Sequence, residues 1–377
     1  MSDPIHPAPD TPATDTAAPE RTEEPASHEV EATTSLAGAI VTTGRGGWRQ
    51  AILVPILAIV TALAVGAILI IFTNPDCLHA WERFFRHPVA ALNISGLVVR
   101  RSYYALFSGA FGSPSDIARA IGSGHLSEIQ AALRPLTETV VSATPLIFAG
   151  LSVAIGFRAG LFNIGAEGQI TVGAIAASIV GFSLPGLPGP IHLALVVGAG
   201  FLGGAIWGFI PGVLKVKTGA HEVITTIMLN FVAANLALWA LSTDFMRPVG
   251  RTDPISKPID VAFPHLLGGS LRLHAGVLVA LGVAVGAAWL LNRTTIGFEV
   301  RAVGANPDAA RAAGMSPGRT IVMVMALAGG MAGLASANQL ASVSPTLAPG
   351  FSSGYGFDAI ALALLGRARP IGVVAAS

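Results

Sequence analysis

Three short polar stretches interrupt an otherwise apolar sequence, and each carries residue types that do chemistry. Gly160 to Gln169 crowds Gly160, Gly165, Gly168, Asn163, Glu167 and Gln169 between two apolar runs, with no room for a long loop. At membrane depth, non-helical backbone is tolerated only where it is buried in protein or lines a cavity. An intramembrane carboxylate such as Glu167 is then a functional candidate. Two roles stay open for it: capping the following helix, whose positive end suits a carboxylate, or lining a path. The second stretch, Gly219 to Asn230, puts Glu222, Thr226 and Asn230 four residues apart, and hence on one helix face. Such a stripe should face the bundle interior or an aqueous path, and Asn230 suits helix bridging and path lining equally. The His221-Glu222 pair is not a zinc-protease site, because Thr225 stands where the second His would be needed.

The third stretch, residues 295–317, is the most informative. Asn306 has the chemistry of a helix cap, Pro307 suits the first helical position and Asp308 the first turn. Ala309 to Ala313 propagate a helix and Gly314 ends it. A plain connecting loop has no need of so definite a start and stop; a short docking helix that enters a partner's groove does. No catalytic carboxylate pair, nucleophile–base arrangement or metal cluster can be argued: the nine His are scattered and Cys77 stands alone. No Gly-x-x-x-x-Gly-Lys-Ser/Thr phosphate loop is present, so the chain is expected to bind no cofactor, with any ATP and Mg²⁺ used by a partner subunit.

The elements that must position these stretches are membrane spans. Of 377 residues 52% are hydrophobic and 11% charged, against about a quarter charged in soluble domains. A net charge of +1 gives no reason to expect nucleic acid as a partner; lipid is the expected surroundings. Ala51 to Phe72 runs 22 residues without a charge, roughly 33 Å of helix. Further apolar runs lie near 137–157, 164–183, 190–214, 222–242, 274–292 and 319–341, with a last one from 357 broken at Gly366 to Pro370. This predicts an all-α polytopic bundle of seven spans plus an eighth, broken or re-entrant element, and a short cytoplasmic coupling helix. The run 88–111 contains Arg100 and Arg101 and suits a surface or interfacial helix.

Residues 1–47 hold six Pro and eight acids, with no aromatic before Trp48, and are expected to form a disordered acidic cytoplasmic tail ahead of a membrane domain at 48–377. Arg45 and Arg49 before the first span favour a cytoplasmic N-terminus. With that start, the basic loops holding Lys215 and Lys217, and Arg293, Arg301, Arg311 and Arg319, both fall inside, although the six Arg of 73–136 then lie outside. Gly200, Gly204, Gly208 and Gly212 in one span, and Gly329 and Gly333 in another, mark faces where helices approach closely.

The runs Phe157 to Gln169, His221 to Asn230, Arg301 to Gly314 and Gly354 to Gly366, in this order, resemble permease subunits of bacterial ABC importers. The nearest branch is the nucleoside and simple-sugar permeases that work with basic-membrane-protein-type binding lipoproteins. The resemblance covers about residues 137–377 and implies a multi-pass protein of the bacterial inner membrane. It also implies an ABC ATPase subunit, a second permease copy or paralogue, and an extracytoplasmic substrate-binding lipoprotein as partners. The coupling role in that family falls here on Arg301 to Met315, with Glu299, Arg301, Gly304, Asn306, Pro307, Asp308, Arg311 and Gly314 as contact candidates. Relatives continue beyond the final motif by one or two helices, so a truncated C-terminus is one expectation, and the acidic tail is no part of the family core.

The expected function is ATP-driven movement of nucleosides, or related simple sugars, into the cytoplasm, with hydrolysis elsewhere. Asn163, Glu167, Gln169, Thr226, Asn230, Asn235, Asn338, Gln339 and Asp358 are the path candidates, since amides and hydroxyls suit a neutral, hydroxyl-rich solute. Two other classes stay open. An ion-coupled secondary transporter would need protonatable groups in mid-span, where Glu167 and Asp358 are the only candidates. A membrane enzyme would need clustered His, Asp or Glu.

Overall fold

The computed structural model describes residues 48–268 and 271–377; the acidic tail expected over 1–47 lies outside the described residues. Fourteen helices and no strand make up their regular structure. They are α1 (Trp48–Thr73), α2 (Pro75–Glu82), α3 (Pro88–Phe111), α4 (Pro114–Ser123), α5 (Leu126–Arg158), α6 (Ala166–Ser183), α7 (Gly189–Thr218), α8 (Glu222–Ser242), α9 (Gly276–Arg293), α10 (Thr295–Ala305), α11 (Pro307–Ala312), α12 (Pro317–Leu340), α13 (Tyr355–Leu365) and α14 (Pro370–Ala376). Pro at the first helical position opens α2, α3, α4, α11, α12 and α14, where its missing N–H would have had no partner anyway.

Among the described residues six helices are long and apolar enough to cross a membrane: α1, α5, α7, α8, α9 and α12. The pair α13 and α14 adds a seventh, bent by 116° at its break. The interruption expected at Gly366 to Pro370 is therefore real, with Arg367 and Ala368 both left-handed at φ 53° and 49°. The expected span over 164–183 is the difference: α6 is an 18-residue helix whose first turn holds Glu167, Gly168 and Gln169, and it falls outside the membrane-crossing set. The span expected at 137–157 is the latter part of the 33-residue α5, which continues through Pro135 and Pro145. The run 88–111 forms α3, which is outside the membrane-crossing set, as its two Arg suggested.

α12 is the hub, packing against α7, α6 and α5. At its crossing with α7 backbone meets backbone, and glycine makes that possible. A Cβ on Gly204 would overlap the carbonyl oxygen of Gly329, and one on Gly329 would overlap that of Gly204. Small residues of this kind let backbones touch where no hydrophobic drive separates helix from lipid. Around this heart, Phe148, Leu151, Ile155, Ile170, Met325 and Leu340 are fully buried. By contrast the apolar window Ile56–Thr73 of α1 has no buried residue, and α1 leans mainly on its neighbours α2 and α3.

One end of the bundle is basic. Lys215 and Lys217 end α7 and Arg293 ends α9. Gly318, opening α12, approaches Val216, so the two basic loops read from the sequence share one face. Arg158 at the end of α5 reaches the same face through Gly304 of α10.

Candidate functional site

The site is a polar junction where the break between α5 and α6 meets the start of α13 and the side of α8. After α5 ends, residues 159–165 run without helix to the start of α6. Their backbone groups need partners, and Asn163 and Asn230 supply them. Asn163 Oδ1 accepts from Gly165 N at 3.0 Å, and its amide pairs with Gln169 through Nδ2–Oε1 at 3.0 Å and Nε2–Oδ1 at 3.2 Å. Asn230, reaching across from α8, accepts from Gly168 N and donates to Ile164 O, both at 2.9 Å. Asn163 and Gln169 are completely enclosed, so this closed amide pair braces the break and offers nothing to a solute.

Glu167 caps a helix, but a different one from that expected. One carboxylate oxygen accepts from Ser352 Oγ and the other from Gly356 N at 2.9 Å, so it staples α6 to the first turn of α13. A Cβ on Gly356 would overlap Glu167's own backbone, so glycine is required for so close an approach. The N-terminus of half-helix α13, with its positive dipole end, thus points at a carboxylate inside the bundle. Broken helices that aim their ends at the centre of a membrane protein are a recurrent way to build a solute site.

A cavity of about 190 Å³ opens beside this staple, lined by Glu167, Thr171 and Asn230 together with Ala234, Leu347 and Phe351. That volume takes several waters but falls short of the ~300 Å³ at which small-molecule pockets begin. The cavity is therefore narrow in this arrangement.

The remaining path candidates scatter. Thr226 is buried and donates to Glu222 O at 2.7 Å, within its own helix. Asn235 is exposed and donates to Phe231 O at 2.8 Å, also within its helix. Asp358 is exposed in the first turn of α13, and Gln339 is half-buried at the end of α12. Asn338 is buried beside Gln339, far along the chain from the junction, and neither of its amide atoms has a hydrogen-bond partner. Glu222 meets Lys215 Nζ at 2.5 Å and ties the α7–α8 turn.

The stretch expected to couple is two helices, not one. Glu299, Arg301 and Gly304 belong to α10, and Asn306 ends it in extended backbone while capping α11. Asn306 Oδ1 accepts from Asp308 N and Ala309 N, both at 2.9 Å, with Pro307 at the first position, as the sequence indicated. Gly314, left-handed at φ 83°, ends the turn, and Asp308 pairs with Arg311 at 3.2 Å on the surface. The backbone of Gly304 lies directly against Arg158 O and Ala159, where any side chain would collide. Arg158 in turn donates from Nε to Ala368 O at 2.8 Å and lies within electrostatic reach of Arg301 and Arg369. One chain of contacts therefore links α10, the end of α5, the α13–α14 break and the polar junction. Sequence reasoning missed Ser352, Gly356 and Arg158 as members. Gly354-Tyr355-Gly356 was a visible signal for the second, whereas nothing local marked the other two.

Residues 136–377 match the family described as branched-chain amino acid transport system / permease component. A guanosine ABC transporter permease protein of Bacillus subtilis is 37% identical over 329 residues, covering 86% of this chain and 82% of the relative. A nucleoside ABC transporter permease protein of Lactococcus lactis is 32% identical, covering 86% and 81%. A glucose ABC transporter permease protein of Haloferax volcanii is 39% identical, covering 64% and 66%. No solved structure matches the chain. Permeases of this family are non-enzymatic subunits that work with ATPase and substrate-binding partners. With a helical bundle of six or seven spans, a broken helix aimed at a polar junction and two short helices bolted beneath it, the chain belongs to the branched-chain amino acid transport system permease family, and is a multi-pass permease of the ABC-transporter type.

Proposed function

We propose that the chain forms one half of a membrane path that carries nucleosides into the cytoplasm, and that it receives its conformational drive through α10 and α11. The observation that carries the reading is the Gly304–Arg158 contact. It places the short helices against the non-helical segment whose other end holds Glu167, Asn230 and the cavity. A push on α10 moves the end of α5, and with it the junction. The basic face is assigned to the cytoplasm because Lys and Arg concentrate there, which agrees with a cytoplasmic N-terminus and a bacterial inner membrane. An ABC ATPase would dock on α11, whose Ala305 to Ala309 approach is exposed, and would bind the ATP and Mg²⁺ that this chain lacks the motif to hold. A second permease, identical or paralogous, completes the path, and a binding lipoprotein delivers the solute from outside. Nucleosides are favoured over sugars because the two relatives that align with 86% of this chain carry guanosine and nucleoside in their names. A simple sugar is the second reading, on the strength of the 39% identical glucose relative.

The test is uptake of radiolabelled guanosine, uridine, ribose and glucose by cells with and without the gene, under ATP depletion and under an uncoupler. Nucleoside uptake that requires the chain and ATP is expected. Uptake that survives ATP depletion but not the uncoupler would overturn the drive assigned here. Gly304→Leu is expected to abolish uptake with the protein still inserted, because a side chain there displaces α10 from Arg158; full activity of that variant would sink the coupling route.

A further inference from the structure

At the end of the bundle away from the basic face, the start of α9 and the end of α12 enclose a second polar group that the junction does not use. Asn338 and His274 are 2% and 1% exposed. Asn338 Nδ2, Asn338 Oδ1 and His274 Nε2 all lack a hydrogen-bond partner. Buried amides and imidazoles are nearly always paired in folded proteins, so three orphaned atoms on two side chains that meet at Gly276 need an explanation. They are not a packing accident, because Gly276 makes room for them: a Cβ there would overlap Asn338 Oδ1 and lie 2.7 Å from His274 Nδ1. Ser342 Oγ, half-buried, lies 3.1 Å from His274 Nδ1. Phe263 stacks on the imidazole, with ring centroids 6.1 Å apart and planes at 29°.

This set has a definite chemistry. The amide of Asn338 offers one donor edge and one acceptor edge in a plane, the pattern that reads a base edge by paired hydrogen bonds. Burial, helped by His265 and Arg272, pushes the His274 imidazole down to about 4. It is therefore neutral at physiological pH and adds a single uncharged hydrogen-bonding nitrogen. Phe263, stacked on that imidazole, adds an aromatic wall beside it. Asn338, His274, Ser342 and Phe263 are all uncharged, which suits a neutral solute. The niche is roofed by 259–264, which is tied to 341–345 by two backbone bonds, Phe263 N–Ala341 O at 2.8 Å and Ile259 N–Pro345 O at 2.9 Å.

We propose that Asn338, with His274, Ser342 and Phe263, forms an outer subsite that recognises the hydrogen-bonding edge of a nucleobase as it enters the permease. The inference rests on the nucleoside reading above and assigns a part of the solute to residues of this chain. Entry requires the 259–264 segment to lift from 341–345, so the subsite is filled in the outward-open arrangement.

The experiment measures initial uptake of guanosine, adenosine, uridine and ribose by cells carrying the whole transporter. Wild type, N338L, N338D and F263L are compared at matched membrane abundance. N338L is expected to lower nucleoside uptake at subsaturating concentration by about tenfold, through a raised KM. The loss should be unequal among the three bases, with ribose uptake changed less than about twofold. N338D, which keeps the shape and swaps a donor for an acceptor, is expected to alter the ranking of the bases. F263L is expected to weaken all three nucleosides together. Equal loss for nucleosides and ribose would reduce Asn338 to packing and overturn the proposal, as would nucleoside uptake with unchanged magnitude and ranking in both Asn338 variants. Those outcomes leave the nucleoside reading standing. Transport of a sugar but of no nucleoside by the wild type would overturn both.

Discussion

The junction at Asn163 and the niche at Asn338 each centre on an asparagine that is almost fully enclosed, yet one is complete and the other is not. At the junction Asn163, Gln169 and Asn230 all find partners, and the backbone of 164–168 is held by them. At the niche Asn338 finds none and His274 keeps one nitrogen unpaired. A satisfied buried network rigidifies, whereas an unsatisfied one costs free energy that something else must return. The difference separates a brace from a receptor, and it can be broken by treating the two asparagines alike. Asn163→Leu strips partners from Gly165 N and both ends of the Gln169 amide. A loss of about 3–5 kcal/mol is expected, read as a collapse in the unfolding midpoint of the purified protein. Asn338→Leu strips partners from nothing, and removes two orphaned atoms. It should be neutral or stabilising by about 1–2 kcal/mol, even as it impairs nucleoside uptake. Similar losses for the two variants would erase the distinction.

The second contrast is with pH. The junction has no histidine among its bonded groups, whereas the niche holds one whose titration is displaced. His274 ordinarily titrates near 6.5 and in the folded protein near 4. Between those values the unfolded chain takes up a proton that the folded one refuses. Stability linked to His274 is therefore fully present above pH 6.5 and lost progressively as pH falls to 4, by ~3 kcal/mol in all. His274→Gln should remove that part of the acid sensitivity in unfolding measurements between pH 7.5 and 4. A wild-type curve superimposable on the variant's would mean that the imidazole is not enclosed as described.

How far these features were legible in the sequence follows from the range of the forces involved. The short helix α11 was readable to within a residue, because Asn306, Pro307 and Gly314 act on backbone within four positions of themselves. The existence of the broken element was readable for the same reason. The split at Asn306 into two helices was not foreseen, since one residue serves both as the end of α10 and the cap of α11. Partners across the bundle were illegible. Glu167 announced itself as a carboxylate in an apolar setting, but its bonds go to Ser352 and Gly356, more than 180 residues away. Spacing placed Glu222, Thr226 and Asn230 on one face correctly, yet only Asn230 reaches the junction, while Glu222 ties α8 to the end of α7 and Thr226 bonds its own helix. His274 stood in no motif; only Gly276, two residues on, hinted that something needed space.

The smallest expected effect concerns Glu167, where the brace borders the cavity. Its carboxylate accepts from Ser352 Oγ and Gly356 N at the positive end of α13. Glu167→Gln keeps an acceptor for Gly356 N and offers Ser352 a donor that its oxygen can receive. What disappears is the negative charge facing the helix end, typically 0.3–1 kcal/mol. The variant should therefore unfold only slightly earlier than wild type, and nucleoside uptake should stay within about threefold. Glu167→Ala, which leaves Gly356 N and Ser352 without this partner, should cost more than the glutamine variant in the same assay. If instead glutamine alone abolished transport with the fold intact, charge or protonation at this carboxylate would be required for the cycle. The junction would then be a moving part of the pump cycle and not the fixed brace against which the Asn338 niche is contrasted.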